Sequence, residues 1–277
     1  MTDIPRIALN SGTSIPQIGF GTFKVDPAVT QATVEAALAL GYRHIDTATG
    51  YSNEAEVGRA IAASGISREE LFVTTKLRND HQLAGDVAGA FGRSLDALGL
   101  GYVDLYLIHW PMPAAGKFVE TWRQFEGFYA DGRAHAIGVS NFKPAHLDTL
   151  LAATDIVPAV DQVELHPMFQ QRELRAYLDA HGIKAEAWAP LGQGRFDIDE
   201  VPALTDAAAA HGKTPAQVIL RWHLQEGVIA IPKALSPDHQ RANLDITDFE
   251  LTETEMAAIR AVDTGHRLAA DPDDINS

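Results

Sequence analysis

Four residues with reactive side chains stand near the ends of apolar runs in the first half of the chain. Asp46 ends the run YRHID, Lys76 ends LFVTTK, and His109 follows LYLI. Tyr51 comes five residues after Asp46. A phenol has a pKa of about 10 and donates protons slowly at neutral pH, but a nearby ammonium lowers that pKa and a carboxylate keeps the ammonium charged. An imidazole can hydrogen-bond a substrate oxygen. The set therefore suits reduction of a carbonyl, whose oxygen gains a proton as its carbon gains a hydride.

Each of these residues also has an ordinary structural interpretation. Asp46 could cap a helix or loop, Lys76 could be a solvated strand end, and His109 could be a hydrogen-bonded core histidine. Asn53 and Glu56 have the N-x-x-E spacing of a capping box, and this pair is interpreted as structural. The positions of the strands and loops that carry the four residues distinguish between these interpretations.

Eight short apolar or β-branched runs recur along the chain with helical patterns between them. The runs are IPQIGFGT, YRHID, LFVTTK, YVDLYLIH, AHAIGVS, AVDQVEL, IKAEAWAP and VIAIP. The segment DVAGAFGRSLDALG, with apolar residues every three or four positions, is typical of the helices. Strands that alternate with helices imply parallel pairing. Eight such units predict an α/β fold, a (β/α)8 barrel of the TIM type, as a single domain over residues 1–277. An open doubly wound sheet is the competing fold, but no GxGxxG motif follows the first strands.

Additional elements are expected around this barrel. The segment RIALNSGTSIPQ predicts a β-hairpin that could plug the bottom of the barrel. EVPALTDAAAAHG and TPAQVILRWHLQEG predict two helices between strands seven and eight, one more than the repeat requires, and a further helix is expected towards the C-terminus. The polar tail after Asp263 is expected to be irregular.

Composition and charge restrict the partners. The net charge of the 277 residues is −15, and there is no long basic run, which argues against nucleic acid or anionic lipid. The chain has no cysteine, so disulfides and thiolate chemistry are excluded. No apolar stretch has the length of a membrane span, and no secretory signal pattern opens the sequence. The expectation is a cytoplasmic monomer that acts on a small molecule.

The carboxyl ends of the strands in such a barrel meet at one mouth, where active sites lie. Asp46, Lys76 and His109 would therefore converge there, with Tyr51 leaning over the same opening. Further polar residues at predicted strand ends are Ser140, Asn141, Gln162, Trp188 and Lys233.

Motifs along nearly the whole chain resemble those of the aldo-keto reductases. IGFGTFKV, GYRHIDTA, TTKL, DLYLIHWP, IGVSNF, QVELHP and IPK occur in the order and spacing of that family. PLGQG and HGKTPAQVILRWHLQ are most similar to the bacterial 2,5-diketo-D-gluconate reductases. The resemblance implies that Tyr51 is the general acid, that Lys76 lowers its pKa, that Asp46 pairs with this lysine and that His109 orients the substrate.

The same resemblance implies an NADPH cofactor, with NADH as a second one. Ser140, Asn141 and Gln162 match the residues that hold the nicotinamide carboxamide, and Trp188 matches the ring that stacks on the nicotinamide. The full set of implied cofactor residues is Gly21, Thr22, Ser140, Asn141, Gln162, Trp188, Leu191, Gln193, Lys233, His239 and Asn243, of which Leu191 and Gln193 match pyrophosphate contacts.

The adenosine end departs from the family pattern. Ser236 and His239 stand where arginines are common, Ala234 and Ala242 replace a common serine and glutamate, and Asp238 adds a negative charge. Ser236 and Pro237 suit the cap and first turn of a helix whose N-terminus can bind phosphate. NADPH is still expected to be favoured through Lys233, with weaker selectivity over NADH; Arg241 could compensate.

Four residues are expected to form the substrate pocket: Phe23, Gly50, Arg78 and Trp110. Arg78 replaces a tryptophan of the diketo-gluconate reductases, and Gly50 replaces a bulkier residue. The hypothesis is a wide pocket with one cationic edge for small polar carbonyls, dicarbonyls or keto-sugars.

Three other functions compete with carbonyl reduction. A regulatory nicotinamide-binding subunit would not need the intact set of four polar residues. An aldolase could form a Schiff base at Lys76. A metal-dependent hydrolase could use His109, His166, Asp46 and Glu164, but no paired-histidine strand end is present and no metal is expected.

Overall fold

A two-stranded antiparallel hairpin precedes the main sheet, and the computed structural model describes residues 4–276. Strand β1 (Arg6–Ala8) pairs with β2 (Ser14–Pro16) around the turn at Gly12. The predicted hairpin is therefore present.

Eight parallel strands follow in chain order and form one sheet. They are β3 (Phe20–Gly21), β4 (His44–Asp46), β5 (Phe72–Leu77), β6 (Leu105–Ile108), β7 (Ile137–Ser140), β8 (Val160–Glu164), β9 (Lys184–Trp188) and β10 (Ile229–Ala230). A parallel bridge between Ile18 and Ala230 joins the first strand region to the last. The predicted (β/α)8 fold is confirmed.

Eleven α-helices occur within residues 4–276. They are α1 (Pro27–Leu40), α2 (Glu54–Ala63), α3 (Asn79–Ala84), α4 (Val87–Leu98), α5 (Phe118–Ala130), α6 (Pro144–Leu151), α7 (Arg172–Ala180), α8 (Pro202–His211), α9 (Pro215–Gln225), α10 (Pro237–Leu244) and α11 (Glu253–Ala261). Both α8 and α9 lie between β9 and β10, as predicted, and α9 begins with a reciprocal capping box between Thr214 and Gln217. None of the helices in the described part of the chain is long and apolar enough to cross a membrane.

The interior of the barrel is divided into an apolar floor and a polar upper part. The floor packs hairpin residues against barrel residues and consists of Leu9, Ile15, Phe72, Leu105, Leu107, Ala136, Ala159, Val160 and Ile229. The hairpin therefore fills the lower end. Because side chains alternate between the two faces of a strand, positions 74 and 76 follow Phe72 on the inner face of β5. The same alternation places His44 and Asp46 together on β4.

The outer faces of the strands pack against the helices in a second, larger core. Close approach of α2 and α4 in this layer depends on Gly58, because a Cβ at this position would run into the Leu98 carbonyl group. Glu54, in the first turn of α2, accepts hydrogen bonds from Thr75 (2.6 Å) and Ser94 (3.3 Å). The α2–α4 contact thus holds the segment after Tyr51 against strand β5.

Replacement of Gly58 by alanine tests this packing. Gly58→Ala should lower the free energy of unfolding by about 1–3 kcal/mol, because α2 and α4 must separate. Gly127→Ala is the matched control, since Gly127 lies in α5 with no atom within 4 Å of an added Cβ. It should raise the free energy of unfolding by about 0.5–1 kcal/mol through helix propensity. Urea denaturation measures both changes; equal effects of the two substitutions would contradict the proposed contact.

Candidate active site

A fully buried ion pair lies at the upper end of the barrel. Lys76 Nζ donates to Asp46 Oδ1 at 2.5 Å, to the Thr47 carbonyl oxygen at 2.9 Å and to Tyr51 Oη at 3.2 Å. Lys76 has no exposed surface. Its three N–H groups are therefore all engaged. The interpretation of Lys76 as a solvated strand end is wrong.

The protonation of this group follows from burial and charge together. Burial lowers the pKa of Lys76, but Asp46 and Tyr51 outweigh it, so the net pKa is raised and the amine stays charged. Burial raises the pKa of Asp46, and Lys76 and Gln162 oppose this shift. Burial also raises the pKa of Tyr51; Lys76 lowers it, as predicted, but by less, so the net direction is upward. Tyr51 is therefore a neutral phenol at physiological pH.

Tyr51 is positioned by a short 3-10 turn, Thr49–Tyr51. Thr49 Oγ1 donates to the Lys76 carbonyl oxygen at 3.1 Å and lies 2.9 Å from Ser94 Oγ, which fastens the turn to β5 and α4. The Tyr51 ring packs 5.1 Å from the Phe23 ring and 5.8 Å, edge to face, from the His109 ring. The phenol is thus held from three sides.

Asn53 has a different structural role from the predicted one. It precedes α2, but its side chain makes no capping hydrogen bond. Asn53 Oδ1 instead accepts from Thr47 (3.0 Å) and Thr22 (3.4 Å), and its amide donates to the Thr22 carbonyl (3.0 Å). Glu56 pairs with Arg59. The capping-box prediction is wrong because the buried Asn53 side chain instead forms hydrogen bonds with polar groups of the loops after β3 and β4.

His109 follows β6 and faces the same cavity as Tyr51. Burial, and then the charge of Lys76, lower the pKa of His109 to about 3. The imidazole is therefore neutral at physiological pH and carries one N–H donor. The backbone oxygen of His109 accepts from Asn141 Nδ2 at 3.0 Å, which joins this side of the site to β7.

Hydrogen bonds link the predicted carboxamide-binding residues across the mouth. Ser140 Oγ donates to the Gln162 carbonyl oxygen at 2.7 Å. Asn141, whose φ of 64° is left-handed, accepts from Trp188 Nε1 at 2.9 Å. Gln162 Nε2 donates to Asp46 Oδ2 at 2.8 Å and to Glu186 Oε2 at 3.0 Å. These residues form one connected wall.

These side chains surround a cavity of about 660 Å³. Its lining contains Asp46, Tyr51 and His109 together with Gly21, Phe23, Trp110, Ser140, Asn141, Gln162, Trp188, Leu191, Gln193 and Lys233. The structure thus brings most of the predicted site residues together, with Lys76 directly behind Asp46 and Tyr51.

Besides Lys76, five predicted residues do not line the cavity. Thr22 is buried and bonded to the Asp46 carbonyl and Asn53. Arg78 is 55% exposed at its side chain and pairs with Asp80 at 3.3 Å. A methyl group on Gly50 would lie 3.9 Å from the His109 ring, an ordinary contact. The other two residues, on α10, are His239 and Asn243.

Helix α10 begins as predicted at Ser236. The Ser236 hydroxyl oxygen accepts from the His239 backbone N–H at 3.1 Å, and Pro237 occupies the first turn. Lys233, four residues before the helix, is exposed and lines the cavity. Lys233 thus stands just before a helix N-terminus that carries Asp238 in its first turn.

Two exposed cations in the lining were missed from the sequence. Lys24 and Arg195 both line the cavity. Each directly follows residues already singled out, Lys24 after Phe23 and Arg195 after the PLGQG segment. Their position beside these motifs was the available signal. Glu186 was also missed; it lies two residues before Trp188, on the same strand face.

The C-terminal tail is irregular, as predicted, and closes one side of the cavity. Glu164, at the end of β8, accepts from the backbone N–H groups of Leu268 (2.6 Å) and Ala269 (3.0 Å), and Ala269 lines the cavity. Farther along, Lys143 pairs with Asp271 at 2.5 Å. Among residues 4–276, no group of three or more His, Asp or Glu side chains is arranged to hold a metal ion.

Comparison with known proteins identifies the family of this fold and site. A family model described as "Aldo/keto reductase family" matches residues 17–264. An aldo-keto reductase of Mycolicibacterium smegmatis is 51% identical over 98% of both chains. Morphine 6-dehydrogenase of Pseudomonas putida is 45% identical over 99% of this chain and 96% of that protein. Methylglyoxal reductase DkgA of Salmonella typhimurium is 42% identical over 96% of both chains.

A solved structure has the same overall shape. A Gox0644 mutant in complex with NADPH superposes with a TM-score of 0.94 and is 42% identical over 99% of both chains. The family match covers most of the sequence, and the relatives match it over nearly their whole length. The chain therefore belongs to the aldo/keto reductase family.

Proposed function

We propose that residues 1–277 act as one catalytic domain, a reductase that converts aldehydes or ketones to alcohols with NADPH. The observation that carries this proposal is the contact of a charged, buried Lys76 with the Tyr51 hydroxyl inside the cavity. Relatives named aldo-keto reductase and methylglyoxal reductase support the reaction class, and the NADPH-bound neighbour supports the cofactor.

The direction of the Lys76–Tyr51 hydrogen bond determines where the phenol proton points. Lys76 carries only donors, so Tyr51 Oη accepts at 3.2 Å and its own O–H must point elsewhere. The cavity is the open side of Tyr51. Tyr51 is therefore the proton donor to a carbonyl oxygen, and Lys76 stabilises the phenolate that this donation leaves.

His109 supplies a second polar contact for the same oxygen. Its neutral imidazole, 5.8 Å from the Tyr51 ring between centroids, presents an N–H donor without a competing positive charge. A neutral donor polarises and orients the carbonyl while Tyr51 delivers the proton.

The cavity fits a nicotinamide dinucleotide. Trp188 offers an aromatic face on one wall, and within residues 4–276 the Gln162 side-chain oxygen has no hydrogen-bond partner, so it can accept from a carboxamide. When bound, the cofactor supplies the hydride. Lys24, Arg195 and Lys233 place positive charge around the cavity of a chain whose net charge is −15, which suits an anionic dinucleotide.

The environment of Lys76 argues against Schiff-base chemistry. A Schiff base requires a neutral, accessible amine, whereas Lys76 has a raised pKa, no exposed surface and three engaged N–H groups. The aldolase alternative is therefore not favoured.

The walls support small polar carbonyls, dicarbonyls or keto-sugars as substrates. Phe23 and Trp110 are apolar walls beside Tyr51, and Arg195 adds an exposed cation. Arg78 lies outside this lining and is compensated by Asp80, so Arg195 is the better candidate for the cationic edge of the pocket.

Removal of the phenol hydroxyl tests the reaction. Tyr51→Phe should lower kcat for NADPH-dependent reduction of methylglyoxal by about 10²–10⁴-fold, the usual contribution of a general acid. The Kd for NADPH, measured by quenching of protein fluorescence, should change less than about twofold. Tyr129→Phe, on α5 outside the cavity lining, is the control and should retain full activity. Wild-type turnover in Tyr51→Phe would refute the assignment.

The charge at the adenosine end tests cofactor preference. Lys233→Met should raise the KM for NADPH about five- to tenfold with little effect on NADH, because one charge-assisted contact to the extra phosphate is lost. Asp238→Ser should shift the preference in the opposite direction. Lys117→Met, an exposed lysine paired with Glu120 on α5, controls for net charge. If the ratio of the KM for NADPH to the KM for NADH were the same in all variants, this end of the site would not determine the cofactor preference.

The pH dependence of reduction should lack a histidine step. Because the pKa of His109 is lowered to about 3, the imidazole is already neutral well below its ordinary pKa of about 6.5. Protonation of His109 therefore affects activity only as pH falls towards about 3. We expect kcat/KM for the carbonyl to be flat between pH 5 and 7 in stopped-flow assays; an acid limb near pH 6.5 that disappears in His109→Gln would contradict this.

A further inference from the structure

A second acid, Glu186, is buried beneath the Lys76–Asp46 pair. It lies on the inner face of β9 and has no exposed surface. Its Oε2 accepts from Gln162 Nε2 at 3.0 Å, whereas its Oε1 has no hydrogen-bond partner within residues 4–276. The proposed carbonyl reduction gives this acid no role. Burial of an unpaired carboxylate costs free energy.

Burial and the neighbouring charge of Asp46 favour the protonated form of Glu186. Lys76 is the only buried ammonium among its described neighbours and is paired with Asp46. Burial, and then the negative charge of Asp46, raise the pKa of Glu186 to about 8. His44 faces Glu186 from β4, 3.6 Å away. Burial lowers the pKa of His44 to about 3; the Pro16 backbone opposes this shift, and the charges of Lys76 and Arg6 add to it. At pH 7, Glu186 is therefore mainly a neutral acid, and it lies beside the neutral imidazole of His44.

The hydrogen bonds determine which oxygen carries the proton. Glu186 Oε2 accepts from the Gln162 amide, so the hydroxyl is at Oε1. Oε1 lies 3.6 Å from His44 Nε2, which in turn lies 3.2 Å from Thr74 Oγ1. Gly19 leaves room for this ring, since a Cβ there would approach His44 Nδ1 to 2.5 Å. Glu186 is thus confined between the His44 ring and the Gln162 amide.

The two acids fix the orientation of the Gln162 amide. Asp46 Oδ2 (2.8 Å) and Glu186 Oε2 (3.0 Å) both accept from the same Nε2. A flipped amide would place its oxygen against two acceptor oxygens and leave its N–H groups facing the cavity. With Asp46 alone, one N–H group would be unpaired in a buried site, which costs free energy.

We infer that Glu186 is a positioning residue that holds the Gln162 amide with its oxygen towards the cavity, where it accepts from the carboxamide of the nicotinamide cofactor. This inference rests on the proposed function, because it assigns Gln162 to the cofactor. Glu186 itself does not touch the cofactor. It acts through Gln162 on the orientation of the nicotinamide ring, and so on which face of that ring delivers the hydride.

Two substitutions separate the acceptor role from the volume of the side chain. Glu186→Gln keeps an oxygen for Gln162 and an N–H group for the His44 side, so it imitates the protonated acid. Glu186→Met has a similar length but no strong acceptor. We expect Glu186→Gln to retain the wild-type KM for NADPH within about twofold, and Glu186→Met to raise it about tenfold.

Face selectivity of hydride transfer is a readout that a general structural defect would not change. With NADPH deuterated stereospecifically at C4, Glu186→Met should reduce the preference for one face at least about tenfold, and Glu186→Gln should restore it. In a Gln162→Met background, Glu186→Met should add no further change, because residues that act through one another are not additive. Urea denaturation of each variant verifies folding; Glu186→Val removes the same acceptor should the methionine variant not fold.

The outcomes distinguish the inference from the proposed function. The proposed function would be refuted if the wild-type protein failed to oxidise NADPH with every carbonyl of a panel of aldehydes, dicarbonyls and keto-sugars. An active wild type, with folded Glu186→Met or Glu186→Val variants of unchanged KM and face selectivity, would overturn the role of Glu186 alone. Loss of selectivity in Glu186→Gln would overturn it as well.

Discussion

The buried ion pair between Lys76 and Asp46 is the interaction on which the upper half of the barrel depends. Taking two charges out of water costs several kcal/mol per ion, and the mutual attraction offsets this only when the remaining donors and acceptors are satisfied. Thr47, Tyr51 and Gln162 provide those partners. The arrangement of the site is therefore the set of contacts that makes a charged lysine tolerable in the barrel interior.

The surrounding fold brings these partners to one point by strand alternation. Inner positions two residues apart carry the apolar floor first, then the layer of His44 and Glu186, and then the layer of Asp46 and Lys76. Loops complete the site from above: Asn53 joins the segments after β3 and β4, and Glu164 fixes the C-terminal tail beside the cavity. The two upper layers are polar but as fully buried as the apolar floor.

Much of this organisation could be predicted from the sequence because it is encoded locally. Strand runs and helix periodicity predict the barrel, and polar residues at strand ends predict the mouth. The role of Asn53 could not be read in this way, because its partners Thr22 and Val25 lie about thirty residues away. The pKa of Tyr51 was likewise set by burial, which a list of neighbouring charges does not contain. Glu186 meets Gln162 only through the pairing of β8 with β9, which the sequence does not display.

The hairpin of β1 and β2 covers the lower end of the barrel with apolar side chains. Leu9 and Ile15 pack there against Phe72 and Leu105 of the barrel strands. In the proposed reaction, the carbonyl, the alcohol and the proton that regenerates the Tyr51 phenol would exchange at the other end, through the mouth lined by Tyr51 and His109.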